Sequence, residues 1–219
     1  IEIPSKLVPD YFEKFIKDIA KKADIKATGF AIELKDKITS CSLQLAHDFF
    51  KNTYFLNLLF DYDGFSFDNS KTKKIHSEID IRNLDEIKVI QYKRTTEEAS
   101  FENKLLEIGL SKTENNLFEL SQKGEKQDPF ATVQWAIENQ EILESKGFSI
   151  KDLKIDSKKI DTHKVSIQFS NEVKSDWFDI KMIVVCEAFE FSFTEIIENI
   201  KNRNRLFLLP NGNYFLIPL

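Results

Sequence analysis

Ser175-Asp176-Trp177-Phe178-Asp179-Ile180-Lys181 and, further on, Leu206-Phe207-Leu208-Leu209-Pro210-Asn211-Gly212-Asn213-Tyr214-Phe215-Leu216-Ile217-Pro218 decide how this chain is read. Neighbouring bulky residues on a strand point to opposite faces. Trp177 and Phe178 therefore imply either a strand covered on both sides or one ring at a rim gripping a partner, and burial statistics favour the core. The second stretch is two short apolar runs around Asn211-Gly212, a hairpin signal because Gly accepts positive φ cheaply. Between them, Phe189, Phe191 and Phe193 alternate as on a strand, and Thr194 is placed to cap a helix carrying Ile196, Ile197 and Ile200.

Moving towards the N-terminus, the same alternation recurs. Phe12, Phe15, Ile16 and Ile19 fall at helical spacing within 9–22, behind Pro9 in the first turn. Strands are expected from Gly29 through Leu34, over 40–46 with Cys41, Leu43 and Leu45 on one face, and over 53–62, with Asp63-Gly64 as a hairpin turn into Phe65 and Phe67. Another strand covers 86–92. A helix over 95–109 carries Phe101, Leu105 and Ile108 and stops at Gly109. From 111 to 127 the composition turns polar, and Lys123 to Gln127 reads as an exposed loop. One helix over 129–146 is expected, with Asp128 as cap, Pro129 at its first position and Gly147 after its end. Further strands are expected over 164–169 and 178–185.

These elements define an α+β fold of antiparallel meander sheets with packed helices. The order helix, Gly-Phe-x-Ile, aromatic pair, apolar strand and Phe-x-Phe occurs twice, at Gly29/Tyr54-Phe55/Phe65 and at Gly147/Trp177-Phe178/Phe189. That pattern suggests two related lobes, 1–94 and 129–219, joined by a helix and polar connector over 95–128. The bland alternative is that any α+β chain offers such matches.

The chain has 219 residues, enough to bury a core without disulfide or metal. Its twenty Phe point to an aromatic-rich core rather than a base-stacking platform. A formal charge of −5 argues against an autonomous high-affinity nucleic-acid binder, which normally carries a basic excess. Cys41 and Cys186, with neither a disulfide ladder nor metal-ligand spacing, fit a reducing cytoplasm. No membrane-length apolar run and no targeting leader is seen. The start at Ile1 and the stop after a hairpin read as an excerpt of a longer polypeptide.

Catalytic signatures are missing. There is no phosphate-cradling Gly-x-x-x-x-Gly-Lys-Ser/Thr, no Gly-x-Gly-x-x-Gly and no Gly-x-Ser-x-Gly. His47, His76 and His163 stand apart, without a second ligand at metal spacing. Asp176 and Asp179, at i and i+3 of a strand, face opposite sides and make poor catalytic partners. No catalytic, cofactor-binding or metal residue is expected, and the chain is not expected to be an enzyme.

The Asp-Trp-Phe-Asp strand entry and the Leu-Pro-Asn-Gly hairpin ending in Ile-Pro resemble the accessory, helicase-associated region upstream of the motor in bacterial Swi/Snf-type (Snf-two) helicase-like ATPases. Ile3-Pro4, Tyr92-Lys93-Arg94 before a helix with Glu97, and Leu143-Glu144-Ser145-Lys146-Gly147-Phe148 extend the resemblance. It departs from the family at Cys186-Glu187-Ala188, where a Gly-containing turn is usual, and it lacks the zinc module some relatives carry. The resemblance implies a non-catalytic domain that positions DNA or a protein partner against a DNA-stimulated ATPase motor lying after Leu219. The alternative is a protein-interaction module without DNA contact. Lys201, Arg203 and Arg205 are the candidate nucleic-acid contacts, although cations at a helix C-terminus also complement its dipole. Lys71, Lys73 and Lys74 form a second basic patch, and Lys158-Lys159 a weaker one.

Overall fold

The computed structural model describes residues 3–23, 25–26, 29–82, 87–121, 128–151, 153–163, 165–174, 177–186 and 189–218, without the side chains of 165, 170–174 and 177–181. The fold is α+β with several sheets rich in antiparallel pairs. Contacts divide it into two compact units, one of 1–132 with 139–151, the other of 133–138 with 152–219. Among the described residues no helix is long and apolar enough to cross a membrane.

The first unit begins with a helical run: a 3-10 turn Ser5–Leu7, α1 (Val8–Tyr11), a π-helical turn Phe12–Ile16 and α2 (Lys17–Ala20). The expected stripe of Phe12, Phe15, Ile16 and Ile19 is broken here. Lys17 N–H donates to the Phe12 carbonyl five residues back, and the extra residue of a π turn rotates the downstream face. Phe12 and Ala20 are buried, whereas Phe15 and Ile19 turn to solvent. The run packs on a sheet of order β1 (Ala31–Lys35), β6 (Ile87–Lys93), β5 (Ile75–Ile81), in which β1 and β6 are parallel. Gln91, buried on β6, donates to the carbonyls of Ala20 and Ala23 (2.7 and 2.9 Å), satisfying orphan groups at the helix end.

The larger sheet runs β7 (Leu110–Lys112), β8 (Phe118–Leu120), β3 (Thr53–Asp61), β2 (Ser40–Asp48), β9 (Phe148–Ile150), with β4 (Ser66–Asp68) on β3. β3 is buried from Tyr54 to Leu58, as befits a central strand flanked on both sides. Asp63 and Gly64 both take positive φ, 56° and 120°, so β3 turns sharply into β4. A Cβ at Gly64 would stand 3.1 Å from the Tyr92 hydroxyl, a second reason for glycine there. α3 (Glu98–Glu107) covers this sheet through Phe101, which meets Phe60 and Phe148 edge-on.

The polar stretch after Gly109 is not all loop. Leu110 to Lys112 pairs with Phe118 to Leu120 as a short hairpin; 123–127, expected as an exposed loop, lies outside the described residues. The segment 95–128 thus contributes α3, β7 and β8 to the first unit. The helix expected over 129–146 is two helices, α4 (Ala131–Glu138) and α5 (Gln140–Ser145). Asn139 between them leaves helical geometry at φ −108°, ψ 21°, as a residue able to bond its own backbone readily does. β9, the strand after Gly147, lies parallel to β2, with Cys41 opposite Phe148.

In the second unit, β10 (Lys154–Ile155), β11 (Lys158–Asp161), β16 (Tyr214–Leu216) and β15 (Leu206–Leu208) form one sheet in that order. β12 (Val165–Lys174), β13 (Trp177–Cys186) and β14 (Phe189–Ser192) form an antiparallel second one. Trp177 and Phe178 lie on β13, but their side chains, like Asp176, fall outside the described residues. α6 (Phe193–Lys201) starts two positions earlier than expected. Ser192, not Thr194, is its N-cap, in a capping box whose Glu195 carboxylate accepts from the Ser192 N–H at 2.8 Å.

Candidate functional site

The three cations singled out at the end of α6 do not form one surface. Lys201 is exposed and paired with Glu198 at 3.1 Å, so its charge is partly answered within the helix. Arg203 is exposed at φ 54°, in the position just beyond the helix that favours a left-handed backbone. Arg205 is buried. Its Nε donates to the Ile217 carbonyl at 2.8 Å and its Nη2 to Gln134 Oε1, clamping the start of β15 to the last strand and to α4. A guanidinium used in this way has no free face for a phosphate. Arg205→Ala is expected to lower stability by about 1.5–3 kcal/mol, the range for hydrogen bonds from a charged group. Arg203→Ala, changing a solvated side chain, should stay within about 0.5 kcal/mol; urea unfolding of both variants checks the contrast.

The second basic patch is also partly engaged. Lys73 Nζ lies 2.8 Å from His76 Nδ1 and 5.5 Å from the Phe65 ring centre, while His76 stacks on Phe65 at 3.8 Å. Burial, with the nearby charge of Lys73, holds the His76 pKa below its ordinary value against the opposing pull of Glu78. Lys73 therefore sits beside a neutral ring in a small aromatic nest. Lys158 lies over the Tyr214 ring at 4.9 Å.

Both cysteines are interior, Cys41 in β2 and Cys186 in β13. Burial pushes the Cys41 thiol up to about 12, so at neutral pH it holds its proton and is a poor nucleophile. Neither thiol should react with a disulfide reagent in the native protein, and both should react in urea; rapid native labelling would contradict the packing. Among the described residues no three His, Cys, Asp or Glu side chains gather as a metal site. His163 Nδ1 lies 2.7 Å from the Asp161 carboxylate beside a hollow of about 360 Å³ in the second unit.

Apolar surface is the more prominent feature. Phe49 and Phe50, at the tip of the β2–β3 hairpin, are 83% and 103% exposed. Ile167 and Phe169, two residues apart and so on one face of β12, are 53% and 65% exposed, and β12 is an edge strand. The sequence reading missed the phenylalanine pair because twenty Phe suggested core. The available signal was positional: Asp48 and Asn52, turn-forming residues, bracket Phe49-Phe50 between two alternating strands.

Comparison with known proteins gives no match among family models, curated proteins or solved structures.

Proposed function

We propose that the chain is a non-catalytic accessory region of a Swi/Snf-type ATP-dependent DNA translocase, cytoplasmic, holding DNA or a protein neighbour against the motor. The observation that carries this reading is the packing of the segments bearing the resemblance. The C-terminal half of β13, β14 and the β15–β16 hairpin close on a single cluster of Val184, Cys186, Phe191, Ile196, Leu209, Phe215 and Ile217. The Leu-Pro-Asn-Gly hairpin therefore supplies shape, which is what an accessory region contributes.

A protein partner is the second reading, favoured by the exposed Phe49, Phe50, Ile167 and Phe169 and by the internal use of Arg205. Anisotropy titration of a fluorescent duplex at two salt concentrations separates the two. Binding at low salt that falls steeply with added salt and with Lys201→Ala/Arg203→Ala supports direct DNA contact. No binding at low salt leaves the protein partner. Clear ATP turnover by the chain would overturn the accessory assignment altogether.

A further inference from the structure

The exposure of Phe49 and Phe50 is built rather than frayed. The β2–β3 ladder runs to the pair Asp48–Thr53, leaving Phe49 to Asn52 as the connecting loop. One Asp48 carboxylate oxygen accepts from the N–H groups of Phe50 and Lys51 at 2.9 and 3.2 Å. Thr53 Oγ1 donates to the Lys51 carbonyl at 3.1 Å, and Asn52 takes φ 47°. The Phe49 ring meets His47 at 4.5 Å, His47 stacks on Tyr54 at 4.4 Å, and Tyr54 stacks on Phe130 at 5.1 Å. An aromatic column thus runs from the interior to the tip. A loop backbone held by its own bonds has already given up freedom that binding would otherwise cost.

Beside the tip lies a hollow of about 540 Å³ between the β2–β3 and β7–β8 turns. Its apolar wall includes Phe55 and Leu117, and among the described residues its charged lining is Asp48, Glu114 and Glu119 against Lys51. Glu114 and Glu119 make no ion pair among the described residues. Three carboxylates against one ammonium repel phosphates and anionic lipid but attract lysine and arginine. An aromatic anchor inside a polar rim is the form of a protein-binding hot spot.

We propose that this tip docks a protein segment of basic-apolar character, in which an aliphatic or aromatic socket for Phe49 and Phe50 is edged by lysine or arginine that meets Glu114 and Glu119. The inference goes beyond the accessory-region reading, since it concerns the first unit's hairpin and holds or fails without a motor. The test is selection of a random peptide display library on the whole chain, with excess Phe49→Ser/Phe50→Ser protein as soluble competitor. The enriched peptides should carry apolar residues flanked by Lys or Arg. A synthetic consensus peptide should bind the double variant at least ~10-fold more weakly than the native chain. Glu114→Gln/Glu119→Gln should weaken it further as salt screening does. Both rings are exposed, so the Phe variant should melt with the native protein. The proposal is overturned if no peptide survives competition, if the survivors are acidic or uncharged, or if the Phe pair instead drives phosphatidylcholine vesicle binding or self-association.

Discussion

Glu98→Ala should be among the most destabilising single changes in the first unit, lowering the free energy of unfolding by about 3–5 kcal/mol, the range for breaking one side of a buried ion pair. Glu98 is buried at the start of α3 and accepts from three directions. The Tyr62 hydroxyl donates to Oε1 at 2.7 Å, and Arg94 Nε and Nη2 reach Oε2 at 2.7 and 2.6 Å. Arg94 also donates to the Lys71 carbonyl and to Asn69 Oδ1, both at 2.9 Å, so one guanidinium ties β6, α3 and the loop after β4 together. Removing the carboxylate leaves this cation sheltered and only partly answered, and leaves the Tyr62 hydroxyl without its acceptor. Replacing both partners, as in Arg94→Met/Glu98→Leu, removes the stranded charge and should recover a substantial part of the loss. Urea unfolding at constant slope is the measurement. If the double replacement is as damaging as Glu98→Ala, the ion pair is not the source of the effect.

The same network sets an alkaline limit. Burial, reinforced by the bond to Glu98, pushes the Tyr62 phenol from its ordinary value near 10 up to about 12. The folded state then holds the proton more tightly than the unfolded state. The associated stability is fully present below pH about 10 and is lost as pH rises through about 12. Cys41 titrates in an overlapping range for the same reason of burial. Comparison with Tyr62→Phe isolates the phenol, since that variant should be less stable at pH 7 yet lose less of its stability on alkalinisation.

What the sequence makes legible here is local. Alternation places β2, β3 and β6; Asp63-Gly64 and Asn211-Gly212 mark the turns after β3 and β15; and the stripe ending at Gly109 marks α3. Each depends on residues within a turn or a strand's length of one another. The misread features depend on distant partners. Whether Ile19 or Ala20 faces inward depends on one inserted residue in a π turn. Phe148-Ser149-Ile150 stands out in the sequence only as the second Gly-Phe-x-Ile, and nothing in it says that it will pair parallel with Cys41 to Leu43. Arg205 resembles any cation after a helix until the Ile217 carbonyl and Gln134 are brought to it by the fold. For the candidate surfaces the error ran the other way. Phe is read as interior by composition, and the turn residues around Phe49-Phe50 hint otherwise, but it is the backbone N–H bonds to Asp48 that show how the loop carrying these two is held outward.

In the second unit the largest effect is expected at Phe215→Ala, about 3–5 kcal/mol from lost burial and the cavity left behind. Phe215 sits on β16 between β11, where it opposes Asp161, and β15, where it opposes Phe207. Its ring lies 5.8 Å from Phe191, which in turn stacks on Phe207 at 4.9 Å. It is 3% exposed in the cluster that also holds Leu209 and Cys186. The hairpin presents it by tight local bonding: Leu209 N–H donates to the Asn213 carbonyl at 2.8 Å, Asn213 N–H to Asn211 Oδ1 at 2.9 Å, and Gly212 takes φ 83°. The cluster's own thiol reports on the change, because a cavity beside Cys186 should admit reagent that the native packing excludes. Labelling of Cys186 in Phe215→Ala should therefore quicken before global unfolding. Phe50→Ala, which removes a ring of the same size from solvent rather than core, should leave both stability and labelling unchanged. Equal effects from the two substitutions would mean that the Leu-Pro-Asn-Gly hairpin is not a structural element, and the packing argument for the accessory assignment would fall with it.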